Sequence, residues 1–236
     1  MPVTTMATPS GALPAAAHVR DHRSALAAAE KRLLVAIAHR LPPWVGSDHL
    51  SALGLLAMVG VGLSFWAARA VPAVALPLVV LFLALNWFGD SLDGTVARVR
   101  NRLRPRYGFY LDHVVDVVGT TCMLTGLALS GLMAPMVAAA TLVAFLLVSA
   151  EAYLATSARG VFTMAFLGVG PTELRLVVAA GALWALRGGW VTPGGLGPFR
   201  LFDIGGAIAI AGLLAAFAVA AARNTAALYR EETTWR

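Results

Sequence analysis

Four aspartates concentrate the chemistry available to this 236-residue chain. Asp90, Asp93, Asp112 and Asp116 all lie in the stretch NWFGDSLDGTVARVRNRLRPRYGFYLDHVVDVVG, from Asn86 to Gly119, and make up a third of the 12 acidic residues. The first two are three residues apart and the second two are four apart, so on helices each pair shares one face. If the two helices run antiparallel across the short connection at 98–106, the acidic faces can meet. Four carboxylates brought together repel one another strongly in a low dielectric. Divalent cations bound through oxygen relieve that repulsion, and carboxylate ligands suit Mg²⁺ or Mn²⁺, with two ions plausible for four acids.

The neighbours of these acids are small or basic. Gly94 lies one turn after Asp90, Ala97 one turn after Asp93, and Gly108 one turn before Asp112. The missing side chains open room for a phosphate-bearing ligand against the helix backbone. Arg98 offers a guanidinium fork to phosphate oxygens, or anchors the chain at the inner interface. Arg100, Arg102, Arg104 and Arg106 form a basic loop between the two acidic pairs; positive-inside anchoring explains them without any ligand, attraction to anionic lipid adds to it, and a substrate role is the alternative. His113 places an imidazole beside Asp112. Asn86, one turn before Asp90, orients a ligand or packs between helices. Glu173 follows Pro171 and Thr172 at a predicted helix start, where an acid is stabilising with or without a site role.

The elements that must hold these residues are membrane helices. The chain is 59% hydrophobic and 13% charged, with a mean hydropathy of +0.77. Its apolar residues come in runs long enough to cross a bilayer. The pattern predicts an all-α integral membrane fold with six transmembrane helices, at 50–69, 71–89, 109–130, 133–155, 174–190 and 203–222. The third and fifth carry Asp112, Asp116 and Arg187 within apolar surroundings. Ahead of them, SALAAAEKRLLVAIAHRL (24–41) has Leu26, Leu33, Leu34 and Ile37 at helical spacing. It predicts an N-terminal amphipathic helix lying in the membrane interface, a soluble amphipathic helix being the alternative. Residues 1–23, rich in Ala, Pro, Ser and Thr, have no apolar core of the signal-peptide kind and are expected to form a disordered tail. Residues 24–236 are expected to form one membrane domain.

Charge sets the expected orientation. A net charge of +6 and a pI near 10.4 suit nucleic acid in a soluble protein, but loop topology accounts for them in a membrane protein, and no nucleic-acid partner is expected. With a cytoplasmic N-terminus, only Arg69, Arg187 and Arg200 of the 18 basic residues fall on the opposite side. The positive-inside rule favours that arrangement and puts the acidic stretch on the cytoplasmic face. Cys122, the one cysteine, sits in an apolar run and has no internal disulfide partner. The alanine and arginine bias points to a bacterial plasma membrane.

The spacing Asp90-x2-Asp93-Gly94-x2-Ala97-Arg98-x9-Gly108-x3-Asp112-x3-Asp116 resembles the defining motif of the CDP-alcohol phosphotransferase family. The resemblance extends to the expected layout of six spans behind an interfacial helix, and implies a homodimer. It implies that Asp90, Asp93 and Asp112 are metal ligands and that Asp116 is a ligand and the general base. Gly94, Ala97, Arg98 and Gly108 become the CDP-binding face. The implied reaction transfers a substituted phosphoryl group from a CDP-linked donor to an alcohol or lipid acceptor, releasing CMP, in phospholipid synthesis. The Asp112–His113 pair and the stretch Glu151 to Glu173 resemble, more loosely, the choline/ethanolamine phosphotransferase branch, where His113 would join Asp116 in catalysis. The motif reads the cytidine diphosphate and leaves open whether a CDP-aminoalcohol donates to diacylglycerol or CDP-diacylglycerol donates to a polar alcohol.

Two other classes compete. Membrane prenyltransferases also hold magnesium-diphosphate on aspartate pairs, but are expected to have more spans and no Gly-x2-Ala-Arg sequence after the acids. A divalent cation transporter would also use buried acids, but nearer the midplane and often in inverted repeats. No repeat is visible here.

Overall fold

Prolines mark where the helices begin. The computed structural model describes residues 25–160 and 170–233. Within them lie α1 (Ala25–Arg40), α2 (Ser47–Ala67), α3 (Pro72–Val99), α4 (Pro105–Ser130), α5 (Pro135–Arg159), α6 (Pro171–Ala185) and α7 (Leu201–Thr233). Four of these open on proline, at the position where its missing N–H leaves no hydrogen bond unmade. Helices α4 and α5 stop at Gly131 and Gly160, whose φ of 79° and 66° suits a residue without Cβ. A short antiparallel pair, β1 (Trp190–Val191) with β2 (Phe199–Arg200), joins α6 to α7. The tail expected at 1–23 and the segment 161–169 lie outside the described residues.

Among the described residues, α2, α3, α4, α5 and α7 are long and apolar enough to cross a membrane. The protein is an integral membrane protein, and among the described residues its regular structure is helical apart from the short strand pair. The fifth predicted span falls on α6, whose 15 residues reach about 22 Å, against a hydrocarbon core of about 30 Å. By length α6 is not among the five. The helices also outrun the apolar stretches read from sequence. Helix α3 continues ten residues past the predicted end at 89, so Asp90 and Asp93 lie on its closing turns. Helix α4 starts at Pro105, which puts Gly108, Asp112 and Asp116 on its first turns.

Helix α2 is the centre of the bundle and packs against both α3 and α4. Glycines set how closely. A Cβ on Gly89 would lie 2.6 Å from the Leu50 carbonyl oxygen, and one on Gly62 would lie 2.8 Å from the Cys122 carbonyl carbon. Real Cβ atoms do not approach so near, so these backbones touch because the side chains are absent. Val61 and Phe65 of α2, Leu76, Val79 and Leu83 of α3, and Leu124 and Leu127 of α4 fill the core around these crossings.

Helix α1 docks onto the motif end of α3. Leu34 and Ala38 are buried with Leu50, Leu92 and Val96. Of the predicted apolar stripe, Leu34 is buried and Ile37 half-buried, whereas Leu33 is 51% exposed. The stripe is therefore shared between protein and surroundings. Glu30 fixes the docking: its Oε1 accepts from Trp87 Nε1 of α3 at 2.7 Å and from Thr172 Oγ1 of α6 at 3.2 Å. Glu30→Ala leaves two donors without their acceptor and is expected to cost about 1–3 kcal/mol of stability. The measurement is the unfolding midpoint in a mixed-detergent titration; an unchanged midpoint would contradict the assignment.

Two of the loop arginines also have protein partners. The Arg100 guanidinium donates to the carbonyls of Leu41, Pro42, Pro43 and Val45, which tethers the α1–α2 connection to the α3–α4 connection. Arg104 pairs with Asp48 at the start of α2. On α5 and α7, Arg159 donates to Asn224 Oδ1 and Asn224 donates to Glu151 Oε1, both at 2.6 Å. Such bonds satisfy polar groups that would otherwise face lipid.

Candidate functional site

The site begins where α2 crosses α3. Gly54 and Gly89 let the two backbones touch, and this contact sets residues 51–54 of α2 against residues 86–93 of α3. Asn86 is buried at 5% exposure and donates through Nδ2 to the Gly54 carbonyl at 3.0 Å. Seven residues on, Asp93 Oδ2 accepts from Ser51 Oγ at 2.6 Å, and its Oδ1 accepts from the Gly94 amide. The carboxylate is thus oriented by a hydroxyl on one helix and a backbone N–H on its own. Neighbouring hydrogen bonds compensate part of the cost of holding an acid in partly buried surroundings.

Asp90 has a stronger partner. Arg175 of α6 reaches it with Nη2 at 2.5 Å, while Arg175 Nε donates to Asn86 Oδ1 at 2.7 Å. Asn86 therefore bridges α2 and α6 through its two amide ends. Asn86, expected to orient a ligand or pack between helices, aims an arginine. Arg175 lies outside the residues whose spacing points to the site. Its signal in the sequence was weak, because nothing in the spacing between Asp90 and Arg175 brings them together. Ser51 was missed for the same reason. Glu173 has a local task, with Oε2 accepting from the Gly170 amide at 3.0 Å at the start of α6.

Helix α4 supplies the second acidic pair. Asp112 is half-buried and Asp116 exposed. The charges of Asp90 and Asp112 both act on Asp93, so acids of α3 and α4 lie within electrostatic range of one another. Those of Asp112 and Asp116 act on Tyr153 of α5. His113 is buried at 8% exposure, tilted against Phe109 and edge-on to Tyr153. Its Nδ1 lies 2.6 Å from the Phe109 carbonyl, which can only accept, so Nδ1 carries the proton and the lone pair of the neutral ring is on Nε2. The face expected to bind nucleotide is open: Gly94 and Gly108 have nothing within 4 Å of where a Cβ would be. Arg98 is exposed and Ala97 half-buried on the same closing turns of α3.

The donor set fits a hard divalent cation in kind, since Asp90, Asp93, Asp112 and Asp116 offer carboxylate oxygens only. In arrangement it is not gathered: among the described residues no three Asp, Glu, His or Cys side chains converge closely enough to hold a metal ion. Arg175 and Ser51 hold one oxygen each of Asp90 and Asp93. Helix α2 also contacts both acid-bearing helices, so the acidic pairs are positioned through α2 as well as through the short loop expected to join them.

Comparison with known proteins adds one match. A family model described as CDP-alcohol phosphatidyltransferase covers residues 49–226, from the first turn of α2 to the last third of α7 and including all four aspartates. No curated protein matches the chain.

Proposed function

The chain belongs to the CDP-alcohol phosphatidyltransferase family, and from that premise we propose that it transfers a substituted phosphoryl group from a CDP-linked donor to an alcohol, releasing CMP, as a step in phospholipid synthesis. The observation that supports the reading is the open space where a Cβ would stand at Gly94 and at Gly108, on the same helix segments that carry the acids of α3 and α4. Prenyl transfer and cation transport, the two competing classes, have no comparable support.

The residues divide the work as follows. Gly94, Ala97, Arg98 and Gly108 form the surface for the cytidine diphosphate, with Arg98 pairing to phosphate oxygens. Asp90, Asp93, Asp112 and Asp116 would hold Mg²⁺ or Mn²⁺, in one or two ions. When bound, the ions neutralise charge on the diphosphate and on the departing CMP. A neutral alcohol is a poor nucleophile, so its proton must leave as its oxygen attacks. Asp116, the exposed acid of α4, takes that proton; His113, with its lone pair on Nε2, is the second acceptor. The alcohol oxygen forms a bond to the phosphorus carrying the donor group, the bond to the CMP oxygen breaks, and CMP leaves with the electron pair. Ser51 and the Gly94 amide keep Asp93 oriented throughout.

The orientation that fits is a cytoplasmic motif end. Arg100 and Arg104 tie the α1–α2 and α3–α4 connections together there, and the positive-inside rule puts that end inside. Helix α1, half-docked on α3 with Leu33 turned outward, then lies in the inner interface, and α6 completes a sixth, shorter span. A homodimer in a bacterial plasma membrane is the assembly that fits the family layout.

The test is a donor-by-acceptor matrix in lipid nanodiscs with Mg²⁺ or Mn²⁺, following CMP release. CDP-aminoalcohols with diacylglycerol form one arm, and CDP-diacylglycerol with glycerol phosphate, serine or inositol form the other. One arm is expected to release CMP in an acceptor-dependent way. Silence in both arms would overturn the proposal.

A further inference from the structure

We infer that Arg175 is a built-in counter-cation of Asp90 that competes with a divalent metal ion for the same carboxylate, and so sets the metal affinity of the site. The inference rests on the proposed metal-dependent reading and deepens it. Its basis is three contacts. Arg175 Nη2 donates to Asp90 Oδ2 at 2.5 Å, Arg175 Nε donates to Asn86 Oδ1 at 2.7 Å, and Asn86 Nδ2 donates to the Gly54 carbonyl at 3.0 Å.

The geometry distinguishes this pair from an ordinary ion pair between long, mobile side chains. Asn86 is buried and tied to the backbone of α2, the helix that packs against both α3 and α4. It holds the guanidinium by Nε and leaves Nη2 facing Asp90. The side chains of Arg175 and Asp90 are 15% and 24% exposed, so water screens their attraction only in part. An ion taking Asp90 Oδ2 must displace that donor or share the oxygen with a positive charge. Either way, the guanidinium raises the ion concentration needed to fill the site. The displaced guanidinium would remain within reach of any phosphate held beside Asp90, since Asn86 still anchors Nε. Arg175 is on this account a positioning residue: it acts on the reaction through Asp90.

The probe is Mn²⁺ itself, whose binding to the purified protein in nanodiscs is read by electron paramagnetic resonance without substrate or turnover. Removing the charge in Arg175→Met is expected to tighten Mn²⁺ binding by about tenfold or more, given a unit charge a few ångströms from a divalent one. Arg175→Lys keeps a charge without the fork and is expected to fall between the variant and the wild type. Asn86→Leu frees the guanidinium and is expected to tighten binding in the same direction by less. A merely structural arginine would give unchanged or weaker binding in Arg175→Met, and either result overturns the inference. An Arg175→Met protein that fails to fold leaves Arg175→Lys and Asn86→Leu to decide it in the same way. Wild-type protein that binds no Mn²⁺, with a CMP-releasing activity indifferent to chelators, would instead refute the metal reading on which the inference rests.

Discussion

Asp116→Asn is expected to lower CMP release from a CDP-linked donor by about 10²–10⁴-fold, the usual contribution of a positioned proton acceptor. The amide has the size of the carboxylate but no basic oxygen, and Asp116 is exposed on the first turns of α4. The fold should survive: the substitution is nearly isosteric at an exposed position, and Leu124, Leu127 and the Gly62–Gly126 crossing of the α4 core lie two to three turns away. His113→Ala gives the contrast. His113 is buried between Phe109 and Tyr153, so its loss opens a void and lowers stability as well as rate. A protein with full activity as Asp116→Asn and none as His113→Ala would transfer the base role to the imidazole.

The second large effect concerns glycine, and the same substitution is expected to do opposite things at two places. Gly62→Val drives a side chain into the Cys122 backbone, where nothing flexible can give way. It is expected to cost about 3 kcal/mol or more, seen as a lower unfolding midpoint or as loss of the monodisperse folded species. Gly94→Val enters open space on an exposed turn. Its stability change is expected to stay within about 0.5 kcal/mol, while the KM for the CDP-linked donor is expected to rise sharply because the added methyls stand on the proposed nucleotide face. Equal stability losses at the two sites would refute the division between packing glycines and ligand-facing glycines.

The acidic motif was legible because its information is local. The spacing of Asp90, Asp93, Asp112 and Asp116 on helices, and the small residues one turn away, follow from chain periodicity alone. The long apolar runs likewise announced the membrane helices, and prolines and glycines punctuated them. The supports of the site were not legible, because they depend on which helix faces which. No pattern in the sequence links Ser51 to Asp93, or Asn86 to Arg175. The first arises where α2 crosses α3 at Gly54 and Gly89 and the second where α6 packs on α3, and a glycine shows its packing role only when its neighbour across the interface is known. The partners of Arg100 and Glu30 are equally invisible to local pattern: they are carbonyls, an indole and a hydroxyl far away in the chain. Apolar length misled at both ends of the motif, since α3 and α4 remain helical through polar residues once helix and site contacts satisfy them.

The most direct measurement uses chelator-stripped protein in nanodiscs, given a CDP-linked donor and an alcohol, and follows CMP while Mg²⁺ or Mn²⁺ is added back. CMP release should be absent before addition, rise to saturation with the ion, and be lost in Asp93→Asn protein that remains folded. Undiminished CMP release from stripped wild-type protein, or from Asp93→Asn, would contradict a reaction run by these carboxylates.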